Sequence, residues 1–375
     1  MSAFDDEIGW IAEHMKVTAA VVGRLPDLRG VRLSCSMHLE PKMVPAIEGL
    51  LRRGAAVFLT TCNPSTVDDA LVEWSLAQGA EADAARGMSA ADLARSIERA
   101  CAFSPTHLCE MGAELTAAMM SKAGERARPS VRASLEATGS GTDRLAGIDV
   151  SYPVFNWDDL PIKEGLHNRR MVGLVACHAF FERTRLTFHN KRVLVVGYGL
   201  VGRSACDAAR AYGGRVLVAE RDHARALEAR FAGEEVGALD EALPLADVVI
   251  TATGARGVIS AGAFERLRDG AFLLNVGHRD EEIDVAALRG FPHETVRPYV
   301  ERFRVGARSV YLFAFGSMAN LTAGQGDSLN AFDVTLATML AGIGFMVTEG
   351  GSYRPGVHVL PRQAWIDVAS AAMGR

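Results

Sequence analysis

From residue 30 onward, short apolar runs alternate with longer stretches whose apolar residues recur at helical spacing. "GVRLSCSMHL" (30–39) predicts a strand running into a loop, and "PKMVPAIEGLLRRGA" predicts a helix ending near Gly54. "AAVFLTTCN" predicts a second strand with a loop at its end. "STVDDALVEWSLAQG" opens with Ser/Thr as a cap and two acidic residues, the composition of a helix N-terminus. Ser89 is placed to cap a further helix in the alanine- and charge-rich segment 79–100. Such alternation predicts an α/β fold with a mostly parallel sheet. The Gly/Ser/Thr-rich turn at 138–142 reads either as a plain loop or as a donor-rich loop near a ligand.

A second α/β pattern begins near Lys191. "RVLVVGYGLVGRSACDAARAYGGRVLVAERD" reads as strand, glycine turn, helix, strand, and "ADVVITATG" and "AFLLNVGH" are two further buried strands ending in glycine. "NAFDVTLATMLAGIGFMV" is helix-like. Composition adds little to this picture. With 375 residues the chain is long enough for two domains, and 49% hydrophobic residues suffice for ordinary cores. A net charge of -5 with both signs interspersed gives no reason to expect nucleic acid as a partner. No basic amphipathic stretch, secretory signal or apolar run of transmembrane length is read, so no membrane partner is expected. Cys35, Cys62, Cys101, Cys109, Cys177 and Cys206 have no metal-ligand spacing, so no metal is expected; they read as reduced thiols in the cytoplasm.

The chemistry concentrates in a few places. "VLVVGYGLVG" carries Gly197, Gly199 and Gly202 as GxGxxG, with Leu200 and Val201 between the last two, after a strand and opening a helix. Gly197 permits the tight turn, Gly199 lets a pyrophosphate approach the backbone, and Gly202 lets helix and strand pack closely. Glu220, at the end of the next strand, suits the ribose hydroxyls of NAD and repels the 2′-phosphate of NADP. "TATG", with Thr253 and Gly254, and "NVGH", with Asn275, Gly277 and His278, end later strands at the edge where ligands bind. Upstream, "PVFNWDDLPIKEGLHN" places Asp158, Lys163, His167 and Asn168 just before the glycine motif. His38 alone reads as either a loop histidine or a proton carrier. Arg169 and Arg170 read as a solvated face or as an anchor for a carboxylate.

"SMHL" (36–39), "TCNPST" (61–66), "PVFNWDDLPIKEGLHN" (153–168), "VVGYGLVG" with "AERD", "LNVGHRDEEIDV" and "YRPGVHVLPR" occur in an order that resembles the S-adenosylhomocysteine hydrolase (adenosylhomocysteinase) family. The resemblance covers roughly residues 30–365. It implies a Rossmann NAD-binding domain (178–325) inserted in a split α/β substrate domain (1–175 and 330–375). It implies bound NAD, a small nucleoside substrate, a homo-oligomer and transient oxidation of the ribose 3′-hydroxyl, followed by C4′ deprotonation and elimination and addition at C5′. In that scheme Lys163, His38, Asn168, His167 and His278 stand at catalytic positions. Cys62, Asn63, Glu136 and Asp158 stand at substrate positions. Asn320 joins Gly197, Gly199, Leu200, Val201, Gly202, Glu220, Thr253, Gly254, Asn275 and Gly277 around the cofactor.

The sequence also departs from the family pattern. His167 replaces an aspartate four residues after the lysine. "CEMGAELT" has Met111 where the family has a catalytic aspartate, and one reading is that Glu110 or Glu114 substitutes. The family's Glu-Glu-Thr-Thr-Thr-Gly segment becomes "LEATGSGT", keeping one glutamate, Glu136. Its His-Pro-Ser loop becomes "GQGDS" at 324–328. The sequence closes at Arg375 with no counterpart of the family's C-terminal Lys/Tyr segment. Three outcomes stay open: hydrolysis of S-adenosylhomocysteine, the same redox chemistry on another nucleoside or thioether, or an NAD-binding regulatory protein without turnover.

Overall fold

In the computed structural model, residues 3–277 and 281–374 are described, and they form two compact units. The first joins Met1–Glu164 to Leu329–Arg375, and the second is Gly165–Ser328.

The first unit is built on a seven-stranded, all-parallel sheet: β1 (Arg32–Met37), β2 (Ala56–Thr61), β3 (Glu81–Ala82), β4 (His107–Glu110), β5 (Ala133–Glu136) and β6 (Pro153–Asn156), with the last strand, Gly356–Val359, beside β6. The spatial order is Gly356–Val359, β6, β5, β4, β1, β2, β3. Five of these strands are buried along their whole or nearly whole length, as parallel strands covered on both faces must be. Helix starts follow local chemistry. Ser89 and Asp92 form a capping box, as expected. The helix Asp69–Ala77 is capped by Asp68 instead of by Ser65 or Thr66, which belong to a separate 3-10 turn. The Gly/Ser/Thr turn at 138–142 proves to be the start of a short helix, Gly139–Leu145, with Thr138 as its cap.

The helix Leu329–Thr348 corrects one expectation: it is long and apolar enough, by length and composition, to cross a membrane. Twelve of its residues are buried in the first unit, where Leu336, Leu340 and Ile343 join the core with Leu33, Leu135 and Phe155. That is the environment of a core helix. Its buried Asp333 accepts the amides of Val17 (2.9 Å) and Thr18 (2.7 Å), so the returning segment is fixed to the N-terminal helices.

The second unit carries an eight-stranded sheet from β7 (Arg192–Val196), β8 (Arg215–Ala219), β9 (Glu235–Val236), β10 (Val248–Thr251), β11 (Ala271–Asn275), β12 (His293–Arg297), β13 (Val300–Val305) and β14 (Arg308–Phe313). Its order, β9-β8-β7-β10-β11-β14 followed by antiparallel β13 and β12, is that of a doubly wound nucleotide-binding sheet. The sheet carries the α/β Rossmann class expected from the sequence.

His107 on β4 is 2% exposed, and burial with the nearby Arg132 lowers its pKa from 6.5 to about 4. Its folded pKa lies below its unfolded one, so the associated stability is full above pH 6.5 and drains away as pH falls towards 4. The expected loss is about 3 kcal/mol between those limits. Chemical denaturation at the two pH values, with His107→Gln as the variant that flattens this contribution, measures it.

Candidate active site and nucleotide-binding edge

In each sheet the direction of winding reverses at one point, and ligands collect outside the strand carboxyl ends there. In the first unit that point lies between β1 and β4. His38 follows β1, Met111 follows β4, and Cys62 and Asn63 follow the neighbouring β2. The Thr66 hydroxyl donates to the Asn63 carbonyl (2.8 Å) and so accepts from His38 Nδ1, also at 2.8 Å. That assignment places the proton of the neutral ring on Nδ1. Cys62 Sγ lies 3.6 Å from His38 Nδ1 and 3.7 Å from Nε2. Burial, then the charges of Glu114 and Glu136, push the Cys62 thiol up, so it stays protonated and is no nucleophile. Asn63 spends its Oδ1 on its own loop, accepting from Ser65 N (3.0 Å) and Ser65 Oγ (2.8 Å).

The carboxylates divide sharply. Glu110 is 1% exposed and accepts from Leu115 N (2.8 Å), Thr116 N (3.1 Å), the Thr116 hydroxyl and Ser134 Oγ (2.9 Å). It holds the start of the helix Glu114–Met120 and has no capacity left to replace the carboxylate missing at Met111, which corrects that part of the expectation. Glu136, wholly buried, accepts from Gly112 N (2.9 Å), Ala113 N (2.8 Å), Thr138 N (2.8 Å) and Thr138 Oγ1 (2.7 Å). Burial and then Glu110 push its carboxyl up, against those donors. A Cβ at Gly141 would fall 2.2 Å from Glu136 Oε1, so the glycine is what lets the chain close over this carboxyl. Glu114 remains. Burial raises its pKa, Arg144 Nη1 lies 3.5 Å from Oε1, and Oε2 is buried without a hydrogen bond.

Lys163 follows β6 on a short helical turn begun by Pro161, and is 8% exposed. Its Nζ donates to the Ala137 carbonyl (2.7 Å) and to Asp158 Oδ1, and sits 5.2 Å from the centre of the Trp157 ring. Asp158 is aimed by its own amide, which donates to Asn156 Oδ1 (2.8 Å), while Asn156 Nδ2 donates to Asp159 (2.6 Å). The first unit therefore brings Lys163, Asp158, Glu136, Cys62, Asn63 and His38 to the carboxyl edge of one sheet. His167 and Asn168 belong to the second unit. His167 Nδ1 meets the buried Asp327 carboxylate. Arg169, read as a solvated face or an anchor, is tied to Asp207 (2.6 Å).

In the second unit the reversal lies between β7 and β10, at the glycine motif. Gly197 has φ +96°, and a Cβ there would stand 2.7 Å from the Ala252 carbonyl. A Cβ at Gly202 would stand 2.0 Å from the Gly197 carbonyl, whereas one at Gly199 meets nothing nearer than Arg225 Nη1 at 4.0 Å. Gly199 thus faces open space at the N-terminus of the helix Leu200–Ala211, whose first residues, Leu200 and Val201, are half-buried. That opening and the helix end suit a pyrophosphate. Glu220 accepts the amides of Tyr198 (2.7 Å) and Asp222 (2.9 Å), which sets its carboxylate beside the turn. Asn320, 4% exposed, has a buried Oδ1 with no hydrogen bond, a polar atom awaiting a donor such as a carboxamide. These residues fit NAD.

Four residues expected around the cofactor, Asn275, Thr253, Gly254 and Gly277, also take part in the packing of their own loops. Asn275 is wholly buried, and its Oδ1 accepts from Thr251 Oγ1 (3.0 Å) and Gly277 N (2.9 Å). Thr253 and Gly254 give their amides to Glu282 (2.9 and 2.7 Å), a buried carboxylate that sequence reasoning did not single out. A Cβ at Gly277 would overlap Glu282 Oε1, which is why glycine stands there. His278 lies outside the described residues.

Residues 178–326 match the family model of the S-adenosyl-L-homocysteine hydrolase NAD-binding domain. The chain is 32% identical to an S-inosyl-L-homocysteine hydrolase of Methanopyrus kandleri, an alignment covering 95% of this chain and 87% of the relative. It is 31% identical to an adenosylhomocysteinase of Aeropyrum pernix, over 95% and 88% of the two chains. An adenosylhomocysteinase of Archaeoglobus fulgidus is 29% identical over 95% and 90%. The edge geometry of both sheets and these similarities lead to one statement: the chain is a divergent member of the adenosylhomocysteinase family of hydrolases, with that family's NAD-binding domain.

Proposed function

We propose that this protein cleaves, reversibly, the thioether of a nucleosyl homocysteine through transient oxidation of the ribose. The observation that carries the reading is Lys163, a buried amine held by Asp158 and the Ala137 carbonyl at the carboxyl edge of the first sheet. Gly197, Gly199, Gly202, Glu220 and Asn320 would hold NAD, which would supply a reversible hydride acceptor for C3′. Lys163 takes the proton of the 3′-hydroxyl. Asp158 and the Ala137 carbonyl are the two groups in contact that orient the amine for that transfer.

A ketone at C3′ acidifies C4′–H and makes loss of the 5′ thiolate feasible. His38, with Nδ1 fixed on Thr66, offers Nε2 to protonate the leaving sulfur and to deprotonate the water that adds in its place. Met111 has no proton to exchange, and Glu110 is committed to its helix. Glu114, which burial keeps inclined to hold a proton, is the carboxyl left for C4′. Met111 also supports a second reading, in which 3′-oxidation is kept and the reaction at C5′ has changed.

The test offers S-inosylhomocysteine and S-adenosylhomocysteine to the NAD-loaded protein, following absorbance near 340 nm and free thiol. Thiol release with either substrate supports hydrolysis. Cofactor reduction without thiol selects the second reading. If neither signal appears with these or with free nucleosides, both readings fall.

A further inference from the structure

The chain passes between the two units twice, at Glu164/Gly165 and at Ser328/Leu329. His167 stands just after the first passage and Asp327 just before the second, and the imidazole Nδ1 meets the Asp327 carboxylate. The Asp327 side chain is 2% exposed and that of His167 is 23% exposed. A carboxylate so buried requires an N–H or a positive charge against it, and the imidazole Nδ1 stands at ion-pair distance from it. These two residues are also two of this chain's departures from the family pattern. An imidazole has replaced an aspartate at 167, and an aspartate has appeared at 327 in the loop where the pattern carries a histidine.

We propose that His167 and Asp327 are positioning residues that bind the two passages to each other. His167 is then not a decayed catalytic acid. It belongs to a tie between the segment 164–171, which follows Lys163 directly and runs as a π-helix, and the loop 324–328, whose Gly326 amide donates to the Asn320 carbonyl (2.9 Å). Within the second unit, the tie sets the residues around His167 and the Asn320 loop as one piece. The Asn168 side chain makes no hydrogen bond among the described residues, and its backbone is placed by the π-helix that His167 anchors. The effect on turnover rests on the redox reading given above. The tie itself does not.

The experiment is a charge-exchange cycle on the NAD-loaded protein with His167→Asp, Asp327→His and the double variant. His167→Asp sets two carboxylates against each other in a buried place, Asp327→His sets two imidazoles, and the double variant restores opposite partners. Amide hydrogen exchange over both 164–171 and 324–328 is expected to speed up about tenfold or more in each single variant and to return close to the parent rate in the double. In the same proteins, the rate of cofactor reduction by a nucleoside is expected to fall about tenfold at unchanged KM in the singles and to recover in the double. Exchange that changes in one segment only, in neither, or no less in the double than in the singles overturns the tie. Restored exchange with activity left low in the double overturns the positioning role. If the parent protein reduces no cofactor, the redox reading fails, and the exchange rates alone still decide whether the two passages are bound together.

Discussion

Purified Lys163→Ala protein is expected to retain its NAD and to lose cofactor reduction by roughly a hundredfold or more when a nucleoside substrate is supplied, the usual scale for removing a positioned proton carrier. The lysine lies in the first unit, whereas Gly197, Gly199, Gly202, Glu220 and Asn320 all lie in the second, so the substitution leaves the nucleotide edge intact. Its local cost is also defined. Asp158 keeps the anchoring hydrogen bond from its own amide to Asn156, and the Ala137 carbonyl loses its donor at 2.7 Å. Lys163→Arg separates proton transfer from charge. Arginine keeps a cation beside Asp158 but does not deprotonate in proteins, so it should be as inactive as alanine. Activity in the arginine variant would mean that positive charge alone is required. Activity in the alanine variant, measured with its NAD content confirmed after denaturation, would remove Lys163 from the reaction altogether.

The parts of this structure that could be read from sequence are those fixed by local constraint. A GxGxxG after an apolar strand has one economical backbone solution, and Gly197 and Gly202 occupy it with no room for a Cβ. Ser89 and Asp92 announce their capping box within four residues. What escaped was decided by partners distant in the chain. Glu282 reveals its task only when the 253–254 loop is folded against it, and Asp327 only when His167 arrives from the other passage. The helix Leu329–Thr348 is legible as helical in the sequence, but Asp333 and the threonines interrupt its apolar run; folding consumes them internally, Asp333 on Val17 and Thr18, and Thr338 on the Val334 carbonyl (2.8 Å).

The carboxylates illustrate the same limit at the site. Sequence spacing offered Glu110 and Glu114 as equal substitutes for an acid missing at Met111, and only burial and hydrogen bonding separate them. Glu110 points back into the fold, to the amides of Leu115 and Thr116, because it is the last residue of β4 and the next helix begins directly above it. Glu114, at the first position of that helix, keeps one oxygen uncommitted. Whether a polar residue is structural or chemical depended here on how many donors were already aimed at it.

The same distinction makes the glycine motif testable in a way that separates fold from ligand. Gly202→Ala places a methyl 2.0 Å from the Gly197 carbonyl, a backbone atom that cannot turn aside. Overpacking of this kind costs about 1–3 kcal/mol, so thermal stability should fall even in protein stripped of nucleotide. Gly199→Ala places its methyl in open space, 4.0 Å from the nearest atom, Arg225 Nη1, at a residue whose φ of -72° any amino acid adopts. Stripped protein carrying that change should melt close to the parent, apart from a small penalty for alanine at a helix N-cap. Its NAD affinity should nevertheless drop about ten- to a hundredfold, because the methyl occupies the approach path of the pyrophosphate to the helix amides. Melting curves with and without NAD, together with NAD titration by calorimetry, distinguish the two variants. If Gly199→Ala binds NAD as the parent does, the pyrophosphate does not lie over that glycine and the assignment of the nucleotide edge fails. If instead Gly199→Ala loses stability without NAD as much as Gly202→Ala does, the space above the turn is not open in the absence of ligand, and the glycine serves the fold and not the cofactor.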